Sequence, residues 1–481
     1  MGDNTLLVVD VGSSALKAVL FGARGETLAS ATQSIATRST SDGLHEQDPN
    51  DWWSALRAAV KTLVSSAPVS AIAFSGSMQN LIALRADGSP TGPAVLYSDR
   101  RLDGIEVEQL GERLPRDYAQ RTGNRLDPAH TILKLMARRR FAAHAANQPV
   151  HWTFGAKDAL TFRLTGEAVI DPTTASTTGL MNIAQRCWDA NLLAAAGVDE
   201  AALPRIRPAD ATVGYVTSTA AAQTGLPAGI PVFNGSGDAG AATWGAAADV
   251  PGTAYCYLGT TGWVAATLDH AVASPPRDTY TLADAVRPDR VIVISPFLTA
   301  GSALDWLVRT TGRPIEQLLD DTALAAPGDA LFLPYLGGER APFEDSKVRG
   351  ALLGLSHTTS PGELALAVME GISFAVRHNL EAAGLVCSTL PVIGGAARHA
   401  QQRQILADAL GRSIAIPGDS ETMTATGVLR MVADVAGITL DHATPATVIN
   451  PRPERAARHG RRYAAYLAAS SFARDLSQHL N

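Results

Sequence analysis

Two short turns built from glycine and hydroxyl residues lie about half a chain apart, Asp10-Val11-Gly12-Ser13-Ser14 and Gly259-Thr260-Thr261-Gly262. A phosphate chain needs many hydrogen-bond donors at close range, and such turns offer backbone N–H groups and hydroxyls with no bulky side chain in the way. Neither turn is a P-loop, since GxxxxGK[ST] is absent, and neither matches GxGxxG. One such hairpin tip is commonplace, whereas two on facing lobes could clamp a triphosphate from both sides. Asp10 ends an apolar run beside the first turn, where a carboxylate either holds Mg2+, directly or through water, or caps its own turn. Lys17 alternates onto one face of the following apolar run and reads as a phosphate contact or as a solvated lysine. Asp238 sits between glycines in GSGDAGAATWG, after an apolar run and before a small-residue helix. A carboxylate so placed can take the proton of an attacking hydroxyl, the modest acid–base work that phosphoryl transfer needs, or it can serve as a helix N-cap. Gly394-Gly395-Ala396-Ala397-Arg398 follows a further apolar run; missing side chains there would let a flat nucleoside lie against backbone, although a tight strand-to-helix turn needs the same glycines.

These residues need elements to aim them. Leu6 to Val9 and Leu16 to Phe21 read as the strands of a hairpin about the first turn, which passes through Asp10. Ala254 to Leu268 reads as a second hairpin of the same kind, and this half-chain spacing suggests two domains of related topology. Asp48 as N-cap with Pro49 at N1 opens a helix that places Trp52, Leu56, Val60 and Leu63 on one face, fit to cover a sheet. Ser360, Pro361 and Glu363 form a capping box for a long core helix through Leu364, Val368, Ile372 and Val376. Apolar strands recur before glycine-rich turns: Pro231 to Phe233, Leu331 to Leu336 and Leu390 to Ile393. Strands that end in glycines and feed helices mean α/β layers with ligands at the strand ends.

The chain has 481 residues, long enough for two large lobes, with 46% apolar and 18% charged residues, which fits a globular protein and excludes a disordered one. A formal charge of −6 without a long basic run argues against a nucleic-acid partner. The cluster Arg138, Arg139 and Arg140 follows apolar Ile132, Leu133, Leu135 and Met136 and reads as the solvated end of a helix. The start MGDNTLLVVDVG lacks a basic n-region, and no run of 18 apolar residues occurs, so a cytoplasmic protein without membrane attachment is expected. Cys187, Cys256 and Cys387 are distant and odd in number, suggesting neither a disulfide framework nor a zinc site; they read as buried thiols.

The order of these segments resembles the FGGY carbohydrate kinases over nearly the whole chain. The likeness runs through the first hairpin, EQDPNDWW, SGSMQN, LYSDRR, AKDALTFRLTGE, GSGDAG, LGTTG, the stretch from Phe332 to Leu355, and IGGAARHAQQRQILAD. EQDPNDWW and the AKD segment look most like the xylulokinase branch, with gluconate kinases near behind. The resemblance implies an α/β, two-domain actin-like and ribonuclease H-like fold with the active site in the interdomain cleft. It divides the chain into an N-terminal domain, 1–245, a C-terminal domain, 246–440, and a helical tail, 441–481. By position it makes Asp238 the proton acceptor and Asp10 the acidic residue beside Mg·ATP. Gly12, Ser13, Ser14, Lys17, Gly259, Thr260 and Thr261 would meet the phosphates, with Gly301, Gly394, Gly395 and Ala396 flanking the nucleotide. Met78 and Gln79 match the pair that meets the sugar, with Asp99 in the neighbouring polar loop and Asp238 beside the reacting hydroxyl.

Three departures stand out: Gln79 where the branch usually has His, Tyr97 where it has Trp, and Phe343 where His is frequent. Gln keeps a donor and an acceptor but cannot titrate, so sugar preference is expected to change while the reaction class stays. The resemblance implies ATP and Mg2+ as cofactors, a small sugar or polyol as partner, and allows a homodimer. D-xylulose is the expected substrate; gluconate or another polyol or ketose is the alternative. A sugar-responsive regulator without turnover would have lost Asp238 or a phosphate turn, and both turns and the carboxylate are intact. An actin-like or chaperone-type ATPase would not need the loops at Met78 and Asp99.

Overall fold

The computed structural model describes residues 4–102, 104–141, 151–269, 278–324, 328–418, 422–441 and 446–480. Two sheets organise it. The first has six strands in the spatial order Thr212–Tyr215, Pro231–Gly237, Ala71–Gly76, Leu6–Val11, Ala15–Phe21, Thr27–Ser34. From the last of these inward the pairings run antiparallel, antiparallel, parallel, parallel, antiparallel. Leu6–Val11 is apolar apart from Asp10 because helices cover both sides of it. Leu7, Val9 and Val11 pack with Trp52, Leu56, Val60 and Leu63 of the helix Pro49–Leu63, while Leu6 and Val8 pack with Val428, Leu429 and Val432 of the helix Met423–Ala436. Asp48 caps the former helix as its sequence dictates, accepting the Asn50 N–H at 2.9 Å with Pro49 in the first turn.

The second sheet has seven strands: Tyr280–Ala283, Arg290–Phe297, Gly262–Asp269, Ala254–Leu258, Thr389–Ile393, Ser413–Ile416 and Thr447–Ile449. Leaving aside the extra edge strand Tyr280–Ala283, its pairings repeat those of the first sheet in the same order. The long helix Pro361–Ala382 crosses its core, opened by the expected box: Ser360 Oγ accepts the Glu363 N–H at 3.2 Å and Glu363 Oε2 accepts the Ser360 N–H at 2.8 Å. In each lobe the outer parallel strand leads to a helix at the junction, Asp238–Gly245 in one and Met423–Ala436 in the other. These two helices cross closely enough that a Cβ on Gly427 would strike the Ala241 carbonyl and one on Gly245 the Met423 carbonyl.

Several local expectations need correction. The first strand continues to Val11, so Asp10 lies within it and the turn begins at Gly12; the ladder persists because Asp10 still pairs with Lys17 and Ser75 across the sheet. The strand after Ala330 ends at Leu333, where pairing with Ala351–Leu353 stops. Cys256 is buried, but Cys187 is exposed on a two-stranded ribbon and Cys387 is half-buried, so the three thiols are not uniformly core. Arg138 is no solvated helix end: its guanidinium donates to the carbonyls of Leu135, Ala196 and Gly197, closing the C-terminus of the helix Ala190–Ala196. The side chains of Arg139 and Arg140 lie outside the described residues. Among the described residues no helix is long and apolar enough to cross a membrane.

Candidate active site

Asp10 stands near the end of its strand, opposite Lys17, which is exposed. Its Oδ2 accepts a 2.7 Å hydrogen bond from the Thr424 hydroxyl at the start of the crossing helix, and its Oδ1 is buried with no hydrogen-bond partner. Burial pushes the Asp10 carboxyl up, with the Thr424 hydroxyl pulling the other way. Asp238 is the first residue of its helix, with Oδ1 accepting the Ala239 N–H at 2.8 Å. Burial first, and then the Asp10 carboxylate nearby, push the Asp238 carboxyl up to about 7. Asp238 therefore senses the Asp10 carboxylate across the ends of two strands of the first sheet.

The segment that delivers Asp238 is held by a buried ion cluster that sequence reasoning did not assign. Asp171 accepts the Gly237 N–H at 3.2 Å and the Ser236 hydroxyl at 3.3 Å. Lys157 Nζ lies 3.0 Å from Asp171 and 2.7 Å from Asp158, and the three side chains are 1% exposed or less. Lys157 and Asp158 stand in the AKD segment, so the signal was visible, but only the fold brings Asp171 and Gly237 to them.

Both hydroxyl-rich turns keep their tips exposed while their carbonyls are tied back. Ser13 O accepts Gln47 Nε2 at 2.6 Å and Thr37 Oγ1 at 3.2 Å, and Ser13 and Ser14 are exposed. Thr260 O accepts the N–H groups of Ala300 and Ser302, each at 3.1 Å, and Thr260 and Thr261 are exposed. Gly12 closes its turn by donating to Ala15 O at 3.0 Å. Gly301 donates to Gly259 O at 2.8 Å, and a Cβ on it would stand 3.4 Å from Ala396. Gly394, at φ +99°, is pressed on the Leu258 backbone, where any side chain would collide. A Cβ on the exposed Gly395 would meet nothing within 4 Å. Gly259, Gly301, Gly394, Gly395 and Ala396 thus form one neighbourhood of bare backbone.

On the other side, Met78 packs its sulfur against Gly237, directly before Asp238. Gln79 has φ +60°, and its Nε2 reaches the Thr177 carbonyl at 3.4 Å. Its own carbonyl accepts Lys134 Nζ at 3.1 Å, and the same ammonium donates to Leu96 O at 2.8 Å. Lys134 is fully buried, and burial pushes it down to about 7. It ties the Met78–Gln79 loop to the Leu96–Tyr97 loop. Tyr97 is 44% exposed, and Asp238 is the charge that adds most to the effect of burial in raising its phenol. Tyr257, stacked on Trp263 at 4.0 Å, is raised by burial and by the same carboxylate, so tyrosines from both lobes flank Asp238. Asp99 is not brought into this space: its carboxylate, 1% exposed, takes Arg101 at 2.8 Å and the His45 N–H at 2.9 Å, and Arg101 also binds Glu46 at 2.7 Å. Phe343 packs edge-on against Tyr335 in the core under the last helix, away from the carboxylates. Sequence reasoning also missed a bridge between the lobes, in which Asp127 takes both the Tyr280 hydroxyl and Arg340.

Hydroxyl-rich turns from two lobes of like topology, beside a pair of carboxylates of which one raises the other, suit an enzyme that moves a phosphoryl group from ATP. Residues 5–245 match the N-terminal domain, and residues 254–435 the C-terminal domain, of the FGGY family of carbohydrate kinases. The chain is 31% identical to the xylulose kinase of Escherichia coli (strain K12) over 88% of each chain. It is 32% identical to the glycerol kinase of Thermus brockianus, again over 88% of each. The solved xylulose kinase from Rhodospirillum rubrum superposes with a TM-score of 0.87 at 25% identity, covering 98% of this chain and all of the other. The chain belongs to the FGGY family of carbohydrate kinases. It is an ATP-dependent phosphotransferase acting on a sugar hydroxyl, on the two-domain actin-like fold of that family.

Proposed function

We propose that the chain transfers the γ-phosphoryl group of Mg·ATP to a hydroxyl of a ketopentose, converting D-xylulose to D-xylulose 5-phosphate, with Asp238 as proton acceptor. The observation that carries the mechanism is the state of Asp238: a carboxylate with Oδ1 held by the Ala239 N–H, delivered by a braced segment and pushed up to about 7. A base with that affinity is half ionised near neutral pH and strong enough to take the proton of an attacking hydroxyl at Oδ2. Ser13, Ser14, Thr260 and Thr261 donate to the triphosphate from the two lobes, and Gly301 with Gly394, Gly395 and Ala396 gives the nucleoside a bare surface. Met78, Tyr97 and Tyr257 line the sugar side, and Gln79, Lys134 and Asp99 hold the loops that present it.

The residues present fit Mg2+. Among the described residues no group of three or more His, Cys, Asp or Glu could cage a metal, whereas Asp10 Oδ1 is a buried oxygen without a partner. Mg2+ keeps water and phosphate oxygens in its shell and takes only one or two carboxylates, so Asp10 suffices on the protein side. When bound, the ion neutralises charge on the β- and γ-phosphates. The division at 245 and 440 serves this reading, since the sugar loops then fall in the first domain and the nucleotide surface in the second; the matches over 5–245 and 254–435 support it.

The choice of sugar rests on likeness to proteins named xylulose kinase, and the glycerol kinase at 32% identity favours a polyol as second reading. A coupled ADP-release assay over D-xylulose, gluconate and glycerol tests both. D-xylulose is expected to give the highest kcat/KM; a tenfold preference for either other acceptor would replace it. ADP release with none of them would point to the regulator instead.

A further inference from the structure

We propose a second ligand site in the C-terminal lobe, a receptor for the dianionic phosphoryl group of a small metabolite, in the cavity between the first turns of the helix Pro453–Leu480 and the helices Pro361–Ala382 and Ala400–Leu410. The cavity holds about 250 Å³ and is lined by Arg452, Arg455, Arg458 and Glu370, with Gln401 among its polar walls. Its charge is unbalanced. The four guanidinium groups of Arg452, Arg455, Arg458 and Arg462 face two carboxylates, Glu370 and Asp408. Asp408 is engaged by Arg452 at 2.5 Å, and Glu370, 0% exposed, by Arg462 at 2.5 Å and Arg458 at 3.2 Å. The Arg455 guanidinium has no hydrogen bond or ion pair among the described residues, and neither does the Gln401 side-chain amide. Arg458 Nη2 is buried without an acceptor.

A guanidinium N–H shut away from water without an acceptor is costly, and such atoms in folded proteins nearly always meet a protein group, a water or an ion. Here the missing acceptor lies where two positive charges are in excess and where a 28-residue helix begins, whose N-terminal peptide dipoles favour an anion. Arginine forks match the oxygens of a phosphoryl group, and a dianion balances the excess. Leu366 and Ile405 supply an apolar wall and Gln401 a donor for hydroxyls, so a few carbons of a sugar fit beside the phosphoryl head. None of the residues assigned to the transfer reaction lines this cavity.

The test uses the full chain with its catalytic cleft filled by a non-hydrolysable ATP analogue and Mg2+, titrated calorimetrically with D-ribose 5-phosphate, with inorganic phosphate and with ribose. Expected are saturable binding of both phosphates, none of ribose, and at least about tenfold weaker binding after Arg455→Glu, since a charge-assisted bond becomes a repulsion. The Arg455 side chain pairs with nothing among the described residues, so that variant is expected to keep its melting temperature and its kcat. Gln401→Leu, which keeps every charge, is expected to weaken D-ribose 5-phosphate more than inorganic phosphate. Absence of phosphate binding, or binding that Arg455→Glu leaves unchanged, would overturn the site and assign the Arg458 donor to an ordinary buried water.

Discussion

The two lobes repeat one sheet topology, yet they have been put to different uses. In both, a hairpin with an exposed hydroxyl tip flanks the first parallel strand, and the outer parallel strand leads to a helix at the junction. In the first lobe that hairpin carries Asp10 and that helix begins with Asp238. In the second the hairpin carries Tyr257 beside its turn, and the helix begins with Met423 and Thr424. The first lobe thus concentrates ionisable chemistry, backed by the buried Lys157, Asp158 and Asp171, while the second offers bare glycine backbone over an apolar core. The same frame occurs twice, and a few side chains decide which copy reacts and which binds.

The largest effect is expected where this asymmetry is sharpest. Asp238→Asn keeps the shape and removes the proton acceptor, so kcat should fall by about 10²–10⁴-fold with nucleotide binding retained. The same variant should be more stable than the wild type at pH 8. Burial and the Asp10 carboxylate raise the Asp238 pKa in the folded state from the usual 3.8 to about 7. The folded protein therefore holds the proton more tightly, and stability contributed by this group is full below pH 3.8 and lost progressively as pH rises from there through about 7. Denaturant melts at pH 8 and pH 5 should show a larger gain for the variant at the former, and wild-type kcat should fall below about pH 7. Retention of more than a third of wild-type kcat would remove Asp238 from the mechanism.

Next in size is the ion cluster that braces the first lobe. Lys157→Met leaves Asp158 and Asp171 buried without their cation, and breaking such a pair typically costs about 3–5 kcal/mol. The cost should appear in the denaturant midpoint and should shrink as pH falls, because burial already pushes Asp158 up to about 6 and protonation relieves the stranded charge. A loss that does not depend on pH would mean that Lys157 acts through packing alone.

How much of this was legible in the sequence follows from how local each feature is. The hairpins, the cap at Asp48 and the box at Ser360 were readable because their partners lie within a few residues. Asp10 and Asp238 stood out because each is a lone charge among apolar and small residues close to a glycine. The brace on Gly237 was not readable, since Asp171 lies 66 residues away in sequence, nor was Thr424 on Asp10, 414 residues away. Asp99 misled for the opposite reason: a polar loop beside a sugar motif suggests a contact, but Arg101, two residues on, engages the carboxylate first. Cys187 misled because a lone thiol is usually buried, and here it falls on the outer face of a short ribbon.

A smaller effect is expected at the side-chain hydrogen bond by which Thr424, in the second half of the chain, holds Asp10. Thr424→Val removes the 2.7 Å donor from a partly buried carboxylate, at a cost of about 1.5–3 kcal/mol. That bond favours the ionised form, so its loss should raise the Asp10 pKa further and shift the pH profile of Mg2+ binding upward. An unchanged pH profile would show that Asp10 does not depend on the second half of the chain for its charge state.

The smallest effect is expected at Gln79, the departure that most separates this chain from the xylulokinase pattern. Its Nε2 already reaches Thr177 O at 3.4 Å, its carbonyl is held by Lys134, and its φ of +60° is one that few side chains adopt without strain. Those contacts make it a support for Met78 more than a donor to the sugar. Gln79→Ala should therefore lower kcat/KM by about fivefold or less, roughly 1 kcal/mol, and by the same factor for every acceptor. KM for ATP should not move. Gln79→His should be well tolerated, because His accepts positive φ more readily than most residues, and should leave the order of sugars unchanged. A loss confined to D-xylulose, or a histidine variant that reorders the acceptors, would instead put the residue in contact with the sugar and make the substitution at 79 a cause of specificity in the first lobe.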